Sequence, residues 1–487
     1  MSDQSTTGTS PVGRGLELER EFNDICRSLD GDLESRLAAD AWLGTTDALY
    51  HGAPCSWAMT PKIFTTQEAA WLADIAETTG RIMDKVTQRF LESAEFRAEF
   101  ALDPWMEELC QSYAGYEQLI PISRVDIFLN EETGEFQFCE WNTDGSAGIN
   151  ATVEITRAIQ STDTYREFAR RHPGVSTYDI EAISCAAVLE TYRSWEHAGE
   201  DGHPAGSPAL VFVDYDESAS HGEVDSLIRR YRELGVAARF ADVHELEIRE
   251  VDGRQRLCDS QGPIDCIWRR AVTSEMAEKP CPGRDAMIRA GQEGICCVVG
   301  SFRTWPCATK TVFAVLWSDA IKDVLTPEEL EFVHAHVPRT YILSPESDLA
   351  PFADKDRWIA KPAGGYNAVG VLAGLDATPE QWQAELEATA ASCGVVQEYC
   401  RQYATPMVFG GRLPEGAGYT DLEARRCDTE EHAMDFSPAA NMEGLFLFNG
   451  KFGGIYTRCG YEATIGEWTN RFHMGCLVVD ESEDLAC

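Results

Sequence analysis

Lysine is scarce in this chain, with eight in 487 residues, and all basic residues together number 41 against 81 acidic ones. The formal net charge of −40 repels a phosphate backbone or an anionic bilayer, so neither nucleic acid nor a membrane is expected as a partner. A run of about 18 consecutive apolar residues, the signature of a spanning helix, is absent. The opening MSDQSTTGTSPVGRG has neither the basic nor the apolar region of a secretory leader. The 17 cysteines form no CxxC pair and no Cys/His cluster at zinc spacing, which argues against a zinc module and fits reduced thiols in a cytoplasmic protein. No GxGxxG follows a strand and no GxxxxGK[ST] occurs, so the usual dinucleotide fingerprint and the Walker loop are both missing.

What remains is a chain long enough for two or three domains, with 44% hydrophobic residues to fill their cores. Residues 1–115 read as a helical N-terminal region, with Leu16, Leu18, Phe22, Ile25 and Leu29 at helical spacing and Ile82, Val86, Phe90 and Leu91 repeating it. At Pro121 the period changes to two, in PISRVDIFLN and EFQFCEWN, which predicts a β-hairpin at the start of a core segment over 116–200. Residues 201–300 read as a small α/β domain. ALVFVDYD is a buried strand, GEVDSLIRRYREL an amphipathic helix closed by Gly235, and VAARFADV and PIDCIWRRA are further strands. The 301–410 stretch alternates helix and strand, and 411–487 returns to short strands such as GLFLFNG and KFGGIYTR.

The hairpin carries the most chemistry. A three-residue turn at Glu132, Thr133 and Gly134 places Asp126 opposite Glu140 and Arg124 opposite Asn142, with all four side chains on one face. Opposed carboxylates repel unless a cation lies between them, and two carboxylates with an amide oxygen suit magnesium. Arg124 then stands ready for an anionic group beside that metal. The same four residues also fit a solvated polar face. Further on, WIAKPAGGYNAVGV joins a strand, Lys361 and a loop with Gly364, Gly365 and Gly370, a pattern that lets backbone N–H groups approach phosphates and that an ordinary glycine-containing hairpin also shows. CGVVQEYC reads as a buried strand ending in polar residues.

Taken together, these segments resemble the glutathionylspermidine synthase branch of the circularly permuted ATP-grasp enzymes, over residues 121–475. In that branch R-x-D and E-x-N strands come first, matching Arg124, Asp126, Glu140 and Asn142, and the ATP lysines follow. Lys310 lies in ATKTVFAVLW, Lys361 opens the KP-glycine loop, and the adenine strand is similar to VVQEY, with Gln397, Glu398 and Tyr399. Arg458, Asn470 and Arg471 fall in the C-terminal segment similar to the family's. Glu140 and Asn142 precede Lys361 by more than 200 residues, which is the order a circular permutation implies. The resemblance implies an ATP-grasp core of α+β and α/β parts beside a small doubly wound domain. It also implies ATP and Mg2+ as cofactors, a catalytic role for Arg124 and Arg458, homodimerisation, and an ADP-forming carboxylate–amine ligase working through an acyl phosphate. A phosphotransferase on a small molecule and a non-catalytic nucleotide-binding protein are the alternatives. Tyr366 and Asn367 replace an arginine and a glutamate of the family's glycine loop, and Cys459 and Gly460 replace a charged pair, so the carboxylate and amine substrates are left open. His51 and Cys55 lie in a segment too short for the amidase domain that some members carry, and none is expected.

Overall fold

Alternating apolar positions in five segments far apart in the chain build the central sheet, in the order Phe472–Met474, Lys451–Gly460, Pro438–Phe448, Ile122–Leu129, Phe136–Asn142. In the computed structural model, which describes residues 11–50, 53–200, 202–365, 369–411, 433–465 and 472–482, every pairing in this sheet is antiparallel. Ala404–Pro406 adds a short sixth strand alongside Pro438–Phe448. The tight turn between Pro438–Phe448 and Lys451–Gly460 is Asn449-Gly450, both with positive φ (49° and 73°), as a two-residue hairpin requires.

Period-two alternation gives this sheet two unlike faces. Val125, Ile127, Leu129, Leu445, Leu447 and Ile455 point one way and pack on the 27-residue helix Thr66–Glu92. That helix begins in a capping box, with Thr65 Oγ1 accepting from the Glu68 N–H and the Glu68 carboxylate accepting from the Thr65 N–H at 2.7 Å. The opposite face carries the polar hairpin residues.

A second sheet, all parallel, runs in the order Cys297–Val299, Cys266–Arg269, Leu210–Asp214, Ala238–Asp242. Its strands are apolar on both faces because helices cover both, including His221–Glu233 and Pro282–Gln292. Between Ala238–Asp242 and Cys266–Arg269 the chain inserts an antiparallel meander over 247–263 that the pattern did not reveal. The third sheet, in the order Thr340–Ile342, Val395–Glu398, Trp358–Lys361, Leu372–Ala373, packs on Trp382, Leu386 and Ala390 of the helix Pro379–Ala391.

The N-terminal region is less uniformly helical than its spacing suggests. Lys62–Thr65 is a strand that pairs in parallel with Cys476–Val479 near the end of the chain. The run is too short for its period to be read, and the partner that holds it lies some four hundred residues away.

Candidate functional site

The hairpin pairs Arg124 with Asn142 and Asp126 with Glu140, and it reaches that register by a different route from the one expected. The turn spans Asn130 to Glu135, closed by the Asn130 N–H donating to the Glu135 carbonyl at 2.8 Å, so Leu129 faces Phe136. A bulge at Cys139 then adds one residue to the second strand and restores the pairing beyond it. Bulges re-aim nearby groups, and here the Cys139 carbonyl accepts a hydrogen bond from Lys361 Nζ at 3.1 Å.

The cations on this face come from the protein itself. Arg124 holds Asp126 with two hydrogen bonds, Nε to Oδ1 at 2.7 Å and Nη2 to Oδ2 at 2.9 Å, while its third nitrogen donates to the Ala147 carbonyl. Its guanidinium carbon lies 4.5 Å from the centre of the Tyr456 ring. Arg458 Nη2 stands 3.8 Å from Asp126 Oδ2, an oxygen that Arg124 also binds. Gly444 faces Asp126 on the neighbouring strand, and a Cβ there would come within 2.7 Å of Arg124 Cδ and 2.9 Å of Asp126 Oδ1. Only glycine leaves room for the pair.

Lys310 donates to Glu140 Oε2 at 2.8 Å, and Asn142 Nδ2 lies 3.4 Å from Glu140 Oε1. Burial pushes the Glu140 carboxyl upward, but Lys310, Arg458 and Lys361 outweigh it and hold the group well below the usual carboxylate range. Lys361 donates to Gln397 Oε1 at 2.6 Å, and Gln397 in turn donates to Thr340 Oγ1 at 3.0 Å. Tyr399 donates to the Ala463 carbonyl at 2.9 Å. Burial raises its phenol to about 12.

Arg124, Arg458, Glu140, Asn142, Lys310, Lys361, Gln397 and Tyr399 line one cavity of about 240 Å3, and the fully buried Asp126 lies outside the lining. Of the loop glycines, Gly365 lines it. Gly364 packs toward Trp305, where a Cβ would sit 3.3 Å from the ring, and Gly370, with a positive φ of 71°, lies outside the lining. Glu398 is also outside, 3.7 Å from Arg357. Cys55 lines the cavity. His51, Tyr366, Asn367, Asn470 and Arg471 fall outside the described residues.

The sequence reading missed the other wall of this cavity, formed by the loop after Asn142 and the carboxyl ends of the parallel strands. Consecutive arginines hold that loop. Arg269 pairs with Asp144, while Arg270 donates to the Ser146 carbonyl at 2.5 Å and to Glu223 Oε1 at 2.7 Å. Glu223 Oε2 accepts from the N–H groups of Gly148, Ile149 and Asn150, so a side chain from another helix caps Ile149–Gln160. Asp214 ends the Leu210–Asp214 strand in the same wall. The rule that sites gather at the carboxyl ends of parallel strands pointed there, since ALVFVD closes on an acid.

No protein-family profile matches the chain, and no curated protein matches it. Among solved structures, the fold is similar to that of a glutathione synthetase-like effector from Globodera pallida, in its apo form. The match has a TM-score of 0.56 at 12% identity and spans 92% of this chain and 97% of that one. A gamma-glutamylcysteine synthetase assigned to Methylobacillus flagellatus KT aligns at TM-score 0.35 and 10% identity, over 80% of this chain and 82% of the other. The D-cycloserine synthetase DcsG aligns at 0.26 and 14%, over 55% of this chain and 91% of the other. The last two superpose too loosely to bear on the fold. The protein is thus a mixed α/β chain of several sheets that shares its architecture with the effector along nearly the whole length of both. Among the described residues no helix is long and apolar enough to cross a membrane.

Proposed function

We propose that this protein is an ATP-dependent, ADP-forming carboxylate–amine ligase of the circularly permuted ATP-grasp type. The observation that carries the reading is the convergence of Lys310 and Lys361, two of only eight lysines, on Glu140 and the adjoining Cys139 carbonyl of one hairpin strand. In a chain of net charge −40, such a cluster of lysines and arginines on one cavity wall reverses the field locally and suits a polyphosphate. The fold shared with a glutathione synthetase-like effector supports the same class of chemistry.

Lys310 and Lys361 would neutralise ATP phosphate oxygens, with Gln397 and Tyr399 on the adenine side. The cavity-lining donors fit magnesium: Glu140 and Asn142 offer adjacent hard oxygens that would hold it, whereas Asp126 is fully buried with both oxygens committed to Arg124 and would act by positioning that arginine. When bound, magnesium supplies charge neutralisation for the transferred phosphoryl group. A carboxylate does not react with an amine until one oxygen becomes a leaving group, and the γ-phosphoryl group provides that. Arg124 is held rigidly by Asp126 and the Ala147 carbonyl and meets the charge that develops on phosphoryl oxygens, a contribution of about 3 kcal/mol per donor in other enzymes. Arg458, which also lines the cavity and lies near Asp126 Oδ2, would assist.

A screen of amino acids, small peptides and polyamines for amine-dependent ADP release tests the proposal. Release that requires both an acid and an amine, with an amide product, supports it. A stable phosphorylated product would reassign the site to a phosphotransferase, and ATP binding without turnover would make it a nucleotide-binding protein.

A further inference from the structure

Five carboxylates line the cavity: Glu140, Asp144, Asp214, Glu223 and Glu275. Four of them are held by a lysine or arginine. Glu140 has Lys310, Asp144 has Arg269, Glu223 has Arg270, and Glu275 has Lys279 at 2.7 Å together with the Ser218 hydroxyl. A carboxylate so paired is a poor proton acceptor, because taking the proton forfeits the ion pair. Asp214 differs. Its described hydrogen bond is from the backbone N–H of the next residue, Tyr215, at 2.9 Å, and no lysine or arginine among the described residues pairs with it. It is 8% exposed, toward the cavity, at the carboxyl end of an interior strand of the parallel sheet.

Resting on the ligase reading, we propose that Asp214 is the proton acceptor that converts the incoming ammonium group into a nucleophilic amine. An amine substrate enters at neutral pH as R-NH3+, without a lone pair to donate. Asp214 takes one proton, the freed nitrogen pair forms the C–N bond to the acyl carbon, and the C–O bond to phosphate breaks with its electrons leaving on phosphate. The second proton, from the tetrahedral nitrogen, leaves with the phosphate as hydrogen phosphate. Asp214 returns its proton to solvent, so each amide formed releases one proton.

The surroundings tune the group for this. Burial and the facing Glu275, from the helix Thr273–Glu278, push the Asp214 carboxyl up, while Arg270, the Tyr215 N–H and His221, at the start of the His221–Glu233 helix, pull it down. The balance lies at about 7, where a base accepts a proton readily and releases it readily.

The test splits the reaction at the acyl phosphate. Wild type and Asp214→Asn are incubated with ATP, magnesium and a panel of amino acids and γ-glutamyl dipeptides. The nucleophile is either hydroxylamine, which is largely unprotonated at neutral pH, or an ammonium-type amine from a set of glycine, putrescine and spermidine. The proposal expects the ratio of hydroxamate to amide to rise by about 100-fold or more in Asp214→Asn, in line with general-base contributions elsewhere. It also expects the limb near neutrality in the amine kcat/KM profile to disappear. Hydroxamate made by the same preparation shows that the variant is folded and activates its acid. An unchanged ratio overturns the role of Asp214 while leaving the ligase reading intact. Absence of hydroxamate in wild type across the whole panel overturns both.

Discussion

Lys310 Nζ lies 2.8 Å from Glu140 Oε2, joining residues 170 positions apart, and this ion pair sets the charge state of the hairpin. The folded-state value of Glu140 lies below its unfolded one, so its contribution to stability is present above the ordinary carboxylate range and is lost as pH falls into the strongly acid range. Lys310→Met should therefore move Glu140 upward toward the ordinary range, with less stability lost on acidification than in wild type, as urea unfolding at a series of pH values will read.

The same substitution should weaken ATP binding about tenfold or more, since a charge-assisted hydrogen bond contributes roughly 1.5–3 kcal/mol. Lys361→Met should do likewise. Among the described acidic residues, Lys322 and Lys355 pair only with their near neighbours Asp319 and Asp356, and their replacement by Ala should leave binding unchanged in calorimetry. Equal losses at all four would indicate general destabilisation.

Asp126 is fully buried and holds Arg124 from both sides of its carboxylate, so Asp126→Asn leaves a buried guanidinium without its counter-charge. Breaking a buried pair in this way costs about 3–5 kcal/mol. Denaturant unfolding should show that loss in full, where a solvated polar face would show almost none.

Gly444→Ala probes the same pair without touching charge. The added methyl group falls inside the contact distance of Arg124, which has to shift. Misplacement by about 1 Å can cost a factor of 100 in rate, so kcat should fall by about that much with ATP binding little altered. Retention of wild-type kcat would show that the position of Arg124 is immaterial.

On the other face of the central sheet, Lys62 is enclosed by Glu19, Glu131 and Glu443, and neither oxygen of Glu443 has a hydrogen-bond partner among the described residues. One lysine cannot compensate three buried carboxylates. Burial and mutual repulsion raise Glu19 and Glu443, so the fold keeps protons there that the unfolded chain has released. Stability from this cluster is present at low pH and is lost as pH rises through the folded-state values. Glu443→Gln should flatten the fall in stability between mildly acid pH, above the ordinary carboxylate value, and about pH 8, measured by urea unfolding.

Local period and residue type made the hairpin legible in the sequence, but the facing pairs Arg124–Asn142 and Asp126–Glu140 agree with the expectation only because the bulge offsets a turn other than the one expected. The Cys139 bulge was not legible, because a bulge is set by what the strand must reach, here Lys361, and not by the strand's own pattern. Glu223 and Arg270 left no local signal either. Their roles arise when a helix and a strand of one sheet meet a loop of another, and in the sequence they are one charged residue of an amphipathic helix and one arginine of a pair.

The central claim is that a carboxylate oxygen is transferred to phosphate on the way to an amide, and isotope transfer measures this directly. With the acid found in the screen labelled with 18O in its carboxylate, the account predicts one labelled oxygen in the inorganic phosphate for each labelled carboxylate consumed, together with ADP and amide in equal amounts. Inorganic phosphate free of label, accompanying ATP consumption, would mean that water or another group receives the phosphoryl transfer and would contradict the account.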